Sequence, residues 1–396
     1  MSYPGPNYQS PNQNYPSRGH PGSSYPGSSY PGQGGPSPFG PNPSDIYGQA
    51  QYPPPRSSGS GCLWTFLAIL GVGGLAMIAC CGALIWFTTT TPQPSPAASQ
   101  PWNVAAIKVP ALPDRGQPTR TLSEDGGVVM YTIRLGESGD YDPPGHGGEM
   151  FLFLPPGEHA VGSLPCVLIT GAGTTLLEGY DFAGDPQETG DADEFIPYAK
   201  AGIAVLAYEL DGSMVFANTD REAFDAFRAS CAGLVNARNA LEFVLARVPE
   251  VNPRQIYAAG HSSAGTAALL FAEHEPRLAG CVAYAPCSDV QSRISDEMPG
   301  FLHRAREMDL PGLTDFIVRS SPRTHESRLN CPVFLFHADD DWNTPVSETR
   351  SFAERLQAVG KSVTLKTVPS GGHYDSMIEE GIPAGIEWIK AQSAQK

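Results

Sequence analysis

The chain of 396 residues carries 25 Lys and Arg against 41 Asp and Glu, a formal charge of −16 at pH 7 with histidines neutral. Only Arg18, Asp45 and Arg56 of these precede residue 100, so the acidity belongs to the carboxyl-terminal three quarters of the chain. A surface of that sign repels phosphate backbones and excludes nucleic acid as the expected partner.

Residues 1–60 are dominated by Pro, Gly, Ser, Tyr, Asn and Gln, and Ser23-Ser24-Tyr25-Pro26-Gly27 is repeated as Ser28-Ser29-Tyr30-Pro31-Gly32. Too few aliphatic side chains are present to offset the entropy of ordering, so a disordered tail is expected. Self-association through Tyr25 and Tyr30 is the sharper alternative. Residues 61–88 read as one transmembrane helix. The stretch 63–87 has no charged residue, and as a helix it spans roughly 37 Å against an apolar bilayer core of about 30 Å. Trp64 and Trp86 stand near its ends, where amphipathic rings favour the headgroup boundary. The long polar stretch ahead of it separates it from a cleaved signal. Arg56 flanks the amino side and the first basic residue beyond is Lys108, which points to a cytoplasmic amino terminus and an extracytoplasmic remainder. Residues 89–119, with Pro92, Pro94, Pro96 and Pro101, are expected to form a linker holding residues 120–396 off the membrane.

From residue 120 onward, apolar strand-like runs alternate with helical ones. Strands are expected near 127–135, 149–154, 166–170, 203–208, 255–260, 280–284, 333–337 and 363–368, and helices over 195–201, 222–248, 265–274, 345–359 and 377–391. That order predicts a mostly parallel eight-stranded sheet with helices on both faces. The insertion 288–330 carries Phe301, Leu302, Leu310 and Phe316, readable equally as a cap over a pocket or as helix core. Of the cysteines after residue 100, Cys166, Cys281 and Cys331 read as small apolar strand residues, with a Cys281 to Cys287 bridge as a minor alternative. No metal-ligand spacing occurs, so neither metal nor cofactor is expected.

The chemistry-bearing segment is Gly260-His261-Ser262-Ser263-Ala264-Gly265, set between the strand-like Ile256-Tyr257-Ala258-Ala259 and a helical run. A serine on so sharp a strand-to-helix turn is lifted out with its hydroxyl exposed, provided its neighbours are small. Gly260, Ala264 and Gly265 meet that need for Ser262, whereas the rival Ser263 has bulky His261 two residues before it. A serine hydroxyl needs an imidazole to take its proton and a carboxylate to fix that imidazole. His337 to Pro345 follows the strand at 333–337 and holds Asp339, Asp340 and Asp341, and His373 follows the strand at 363–368. The chain order serine, acid, histidine is that of α/β-hydrolases. Thr170-Gly171-Ala172-Gly173, after another strand, offers the Ala172 amide as one oxyanion donor, with the Ser263 amide as the second. His261 and His337 are expected to hydrogen-bond structurally beside the turn and the acid loop. Glu178, Asp181, Asp185, Glu188, Asp191, Asp193 and Glu194 make an acidic stretch, by default a solvated loop, otherwise a selector of cationic or free-amine substrates.

Residues from about 120 resemble an α/β-hydrolase, and more narrowly the catalytic domain of prolyl-oligopeptidase-type (S9) serine peptidases. The matching segments are Asn252-Pro253-Arg254-Gln255-Ile256, Ser321-Pro322 ahead of Cys331-Pro332-Val333, and the His337 to Pro345 loop. In that family the loop pattern places the triad acid on Asp341; Ala338 and Thr344 depart from it and leave Asp339 as an alternative. The resemblance implies a serine peptidase in which Ser262 attacks, His373 shuttles the proton and Asp341 orients it. The expected partner is a small ester or peptide substrate. Such peptidases usually carry a propeller, for which too few residues lie between the apolar stretch and the first strand, so a carboxylesterase stays open. A dead hydrolase fold serving as a membrane scaffold is the alternative of another class.

Overall fold

The computed structural model describes residues 100–136, 144–145, 148–214, 217, 220–294, 310 and 312–394. The polar tail, the apolar stretch 63–87, Phe301 and Leu302 lie outside the described residues. Among the described residues no helix is long and apolar enough to cross a membrane.

Nine strands build one sheet: β1 (Arg120–Leu122), β2 (Val128–Arg134), β3 (Glu149–Leu154), β4 (Leu164–Ile169), β5 (Ala204–Tyr208), β6 (Val251–His261), β7 (Gly280–Tyr284), β8 (Val333–Ala338) and β9 (Val363–Val368). Their spatial order is β1-β2-β3-β5-β4-β6-β7-β8-β9. The pairings from β5 through β9 are all parallel, and β1, β2 and β3 add an antiparallel flank. The expected eight-stranded sheet therefore gains a ninth strand. β1 is three residues long with two exposed, too short to show a period.

The sheet is buried on both faces. On β8, Val333 and Leu335 enter one core while Phe334 and Phe336 enter the other. On β6, Ile256 and Ala258 are divided in the same way from Tyr257 and Ala259. That alternation is the period of two imposed by the pleat. Seven helices of seven residues or more are described: α1 (Ala192–Lys200), α2 (Asp220–Ala229), α3 (Leu234–Arg247), α4 (Ser262–His274), α5 (Leu313–Arg319), α6 (Val346–Ala358) and α7 (Ile382–Ser393). α1 and α7 cover one face through Phe195, Tyr198, Ile382, Ile386 and Ile389, and α2 to α6 cover the other.

One expectation is revised, one open choice is decided and a further segment is placed. The single helix over 222–248 is broken into α2 and α3, because Cys231, Ala232 and Gly233 all have left-handed backbones (φ 58°, 57° and 79°). Leu310 and Phe316 are core residues: Phe316 is fully buried and packs edge-on against Phe224 and Trp102. The stretch 102–115, expected as linker, is docked on the domain. Arg238 donates to the carbonyls of Val104 and Ile107, Arg247 to those of Leu112 and Pro113, and Arg115 pairs with Glu250. Cys166, Cys231, Cys281, Cys287 and Cys331 are all buried outside any disulfide, so the Cys281 to Cys287 bridge is not formed.

Candidate active site

Loops at the carboxyl ends of β4, β6, β8 and β9 meet at one edge of the sheet. β6 ends on His261 and α4 begins at Ser262, so the serine occupies the turn itself. Ser262 adopts φ 53°, a left-handed backbone that costs a non-glycine residue about 1 kcal/mol or more. The surrounding turn enforces it. A Cβ on Gly260 would collide with the Ala264 carbonyl, and one on Gly265 would press on the Gly260 carbonyl at 3.0 Å. The small residues flanking Ser262 are thus steric requirements of the elbow.

The Ser263 side chain faces the other way. Its Oγ accepts hydrogen bonds from the amides of Gly173 (3.0 Å) and Thr174 (3.2 Å). This ties the loop after β4 to the start of α4 and holds Ala172 on the wall of the cavity that Ser262 lines. With its oxygen committed to two amides, Ser263 is poorly suited to attack a carbonyl.

His373 Nδ1 donates to Asp341 Oδ2 at 2.6 Å. A carboxylate only accepts, so the ring hydrogen sits on Nδ1 and the lone pair on Nε2. Asp341 is buried and fully engaged: its Oδ1 accepts from the amides of Asn343 (2.8 Å) and Thr344 (3.0 Å), and His337 Nε2 lies 3.1 Å from its Oδ2. His337 is in turn fixed by Thr349 Oγ1 (2.7 Å) and the Thr344 carbonyl (2.8 Å). Burial opposes ionisation of Asp341, but hydrogen bonds from His337 and His373 outweigh it and hold the carboxyl well below the usual range. Burial pushes the His373 pKa down, against the hydrogen bond to Asp341, so the ring is neutral near pH 7.

The other two acids of the loop are occupied elsewhere. Asp339 pairs with Arg350 at 2.7 Å on the exposed side. Asp340 clamps the loop after β9, accepting from the amides of Gly371 (3.2 Å) and Gly372 (2.8 Å). That clamp went unseen in the sequence, since nothing local distinguishes Asp340 from its neighbours.

Ser262 and His373 line one cavity of about 370 Å³ with Ala172, His261, Asn343 and Tyr374. Among the described residues the Ser262 hydroxyl makes no hydrogen bond, so serine and imidazole share a wall without a hydrogen bond between them. Catalytic hydrogen bonds often close only around substrate. Of the acidic stretch, Asp191, Asp193 and Glu194 line this cavity. They occupy the start of α1, where negative charge complements the helix dipole. Burial and these three carboxylates together push the Tyr374 phenol up to about 12.

The parallel sheet, the elbow and the converging loops define an α/β-hydrolase. The model of the prolyl oligopeptidase family (peptidase S9) matches residues 194–392, just over half of the sequence, and the chain belongs to that family. Among solved structures it is similar to Pyrococcus horikoshii acylaminoacyl peptidase (TM-score 0.51, 15% identity, 69% of this chain and 41% of that one). It is similar also to acetyl xylan esterase from Paenibacillus sp. R4 (0.51, 18%, 73% and 90%) and a Mycobacterium tuberculosis puromycin-hydrolyzing peptidase (0.50, 18%, 67% and 39%). The chain thus spans about two fifths of the length of the two peptidases. No curated protein matches it.

Proposed function

We propose that this protein is a serine hydrolase of the S9 type, cleaving peptide or ester bonds through Ser262, His373 and Asp341. The observation that carries this reading is the shared cavity: a serine in a strained elbow and an imidazole whose far nitrogen donates to a buried carboxylate line one wall. Ser262 Oγ attacks the carbonyl carbon while its proton passes to His373 Nε2. The tetrahedral oxyanion is met by the amides of Ala172 and Ser263. His373 then delivers the proton to the leaving nitrogen or oxygen, leaving an acyl-enzyme. Water, deprotonated by the same imidazole, releases the acid and restores Ser262.

Two features favour peptide over simple ester. The family is one of peptidases, and the carboxylates of Asp191, Asp193 and Glu194 on the cavity wall suit a substrate with a cationic group, such as a free amine. The esterase reading is favoured by coverage, since the matched acetyl xylan esterase is spanned over 90% of its length. We further read residues 63–87 as a membrane anchor with the amino terminus cytoplasmic and the hydrolase outside, on the charge-free stretch and its flanking tryptophans. Resistance to alkaline extraction and protease accessibility of the hydrolase on intact cells test that placement.

Fluorophosphonate labelling of wild type and Ser262→Ala tests the chemistry. Labelling of the wild type alone is expected; labelling of neither supports a catalytically dead scaffold. A panel of acyl esters, aminoacyl amides and short peptides then separates the two activities, and preference for amides bearing a free amine is expected.

A further inference from the structure

We propose that His261 and Glu194 are positioning residues for the catalytic base, a second imidazole–carboxyl couple that holds the main chain of His373 as Asp341 holds its ring. The proposal rests on the assignment of Ser262, His373 and Asp341 above. His261 is the last residue of β6, directly before Ser262, and is 3% exposed. Its Nε2 lies 2.9 Å from the His373 carbonyl oxygen. A carbonyl only accepts, so Nε2 carries a hydrogen and donates it. The two rings stand 4.5 Å apart between centroids at 45°. On its other side, His261 Nδ1 faces Glu194 Oε1 of α1 at 3.5 Å, longer than a good hydrogen bond, and finds no other partner among the described residues. Glu194 is itself buried.

The loop that carries His373 has a reason to need this hold. Gly371 and Gly372 immediately before it have φ of 116° and 61°, conformations that glycine adopts freely and that leave the segment easily rotated. Asp340 fixes the amides of these glycines and Ser376 Oγ donates to the Gly372 carbonyl at 2.6 Å, but both act ahead of the histidine. The bond from His261 is made to the His373 peptide itself. Because it issues from the residue next to Ser262, it sets the distance between the nucleophile's strand and the base's loop. A displacement of about 1 Å in such a pair costs on the order of 10²-fold in rate. Glu194, from the first turn of α1, limits rotation of the His261 ring.

Three variants of the full chain test this, read by the rate of fluorophosphonate labelling and by kcat and KM on an aminoacyl amide. His261→Phe keeps the ring and its stacking but removes the donor. His261→Gln keeps a donor at about the reach of Nε2, and Glu194→Gln keeps shape but removes the charge. His261→Phe is expected to lower labelling rate and kcat by about 10²-fold with KM within about threefold, and His261→Gln to recover at least about tenfold of that loss. Glu194→Gln is expected to lower kcat several-fold, again with KM held. Wild-type labelling by a folded His261→Phe, or an equal loss in Phe and Gln variants, would overturn the proposal. If His261→Phe lacks a cooperative thermal transition, Glu194→Gln and His261→Gln decide: wild-type kcat in the first, or less than a tenth of it in the second, overturns it. Labelling that survives in Ser262→Ala would instead refute the underlying triad, independently of these variants.

Discussion

Asp341 and Glu273 are both buried carboxyls, and they differ in what surrounds them. Asp341 receives four donors, and in the proposed mechanism its charge fixes the tautomer of His373. Asp341→Asn turns an acceptor into a donor facing His373 Nδ1 and favours the wrong ring tautomer. A fall of about 10⁴ in kcat is expected, with a lowered melting temperature because a buried acceptor of several donors is lost. In the wild type, burial holds the His373 pKa under its ordinary 6.5, and in the proposed mechanism the base form is the active one. The acid limb of kcat/KM should therefore have its midpoint below pH 6.5, with activity rising as pH rises through it; a midpoint above 7 in a pH profile would contradict the buried site. Glu273 on α4 is 2% exposed, and neither carboxyl oxygen has a hydrogen-bond partner among the described residues. Burial raises its pKa well above the usual range. Glu273→Met removes an unsatisfied polar group at similar volume and should stabilise the protein by about 1–3 kcal/mol in chemical denaturation.

Elements decide whether these residues meet, and the decisive ones here are turns. Asp340→Ala would free the amides of Gly371 and Gly372 and loosen the loop that presents His373. A drop in kcat of about tenfold is expected, with little change in melting because the lost bonds are at an exposed edge. Gly260→Ala would drive a Cβ into the Ala264 carbonyl, and loss of soluble folded protein is the expected result on expression. The strands from β4 to β8 were legible in the sequence because they are largely buried on both faces and read as apolar runs. The elbow was legible because its steric demand is local. What stayed hidden depended on contacts distant in sequence. The role of Asp340 exists only when β8 and β9 lie side by side, and the commitment of Ser263 Oγ only when the loop after β4 folds over α4. The break between α2 and α3 was hidden for a different reason: Cys231 and Ala232 take left-handed backbones that their own propensities disfavour, so tertiary packing imposes them.

At the scale of the whole molecule, stability against pH depends on buried groups that the chemistry does not use, and they pull in opposite directions. His274, at the end of α4, has its pKa lowered by burial from 6.5 to about 4. The unfolded chain binds this proton more tightly than the native one, so the stabilisation is complete above pH 6.5 and is lost as pH falls from there toward 4. Glu209, past the end of β5, behaves oppositely. Burial and the neighbouring Asp181 raise its pKa from 4.5 to about 8 while it accepts from the amides of Glu149 (2.7 Å) and Phe182. Here the native state binds the proton more tightly, so the stabilisation is complete below pH 4.5 and is lost as pH rises toward 8. Asp211, raised by burial from 3.8 to about 6, adds to the same limb. A tenfold change in proton affinity corresponds to about 1.4 kcal/mol, so each limb amounts to a few kcal/mol, on the order of half a domain's net stability. Maximum stability is expected near the crossing of the two limbs, in mildly acidic solution. Glu209→Gln keeps a hydrogen-bonding group of the same shape without a charge to develop, and should flatten the alkaline limb while leaving the acid limb in place. Urea unfolding of wild type and variant from pH 4 to 9 reads both limbs, and an alkaline limb unchanged in Glu209→Gln would show that the buried carboxyl is not its source.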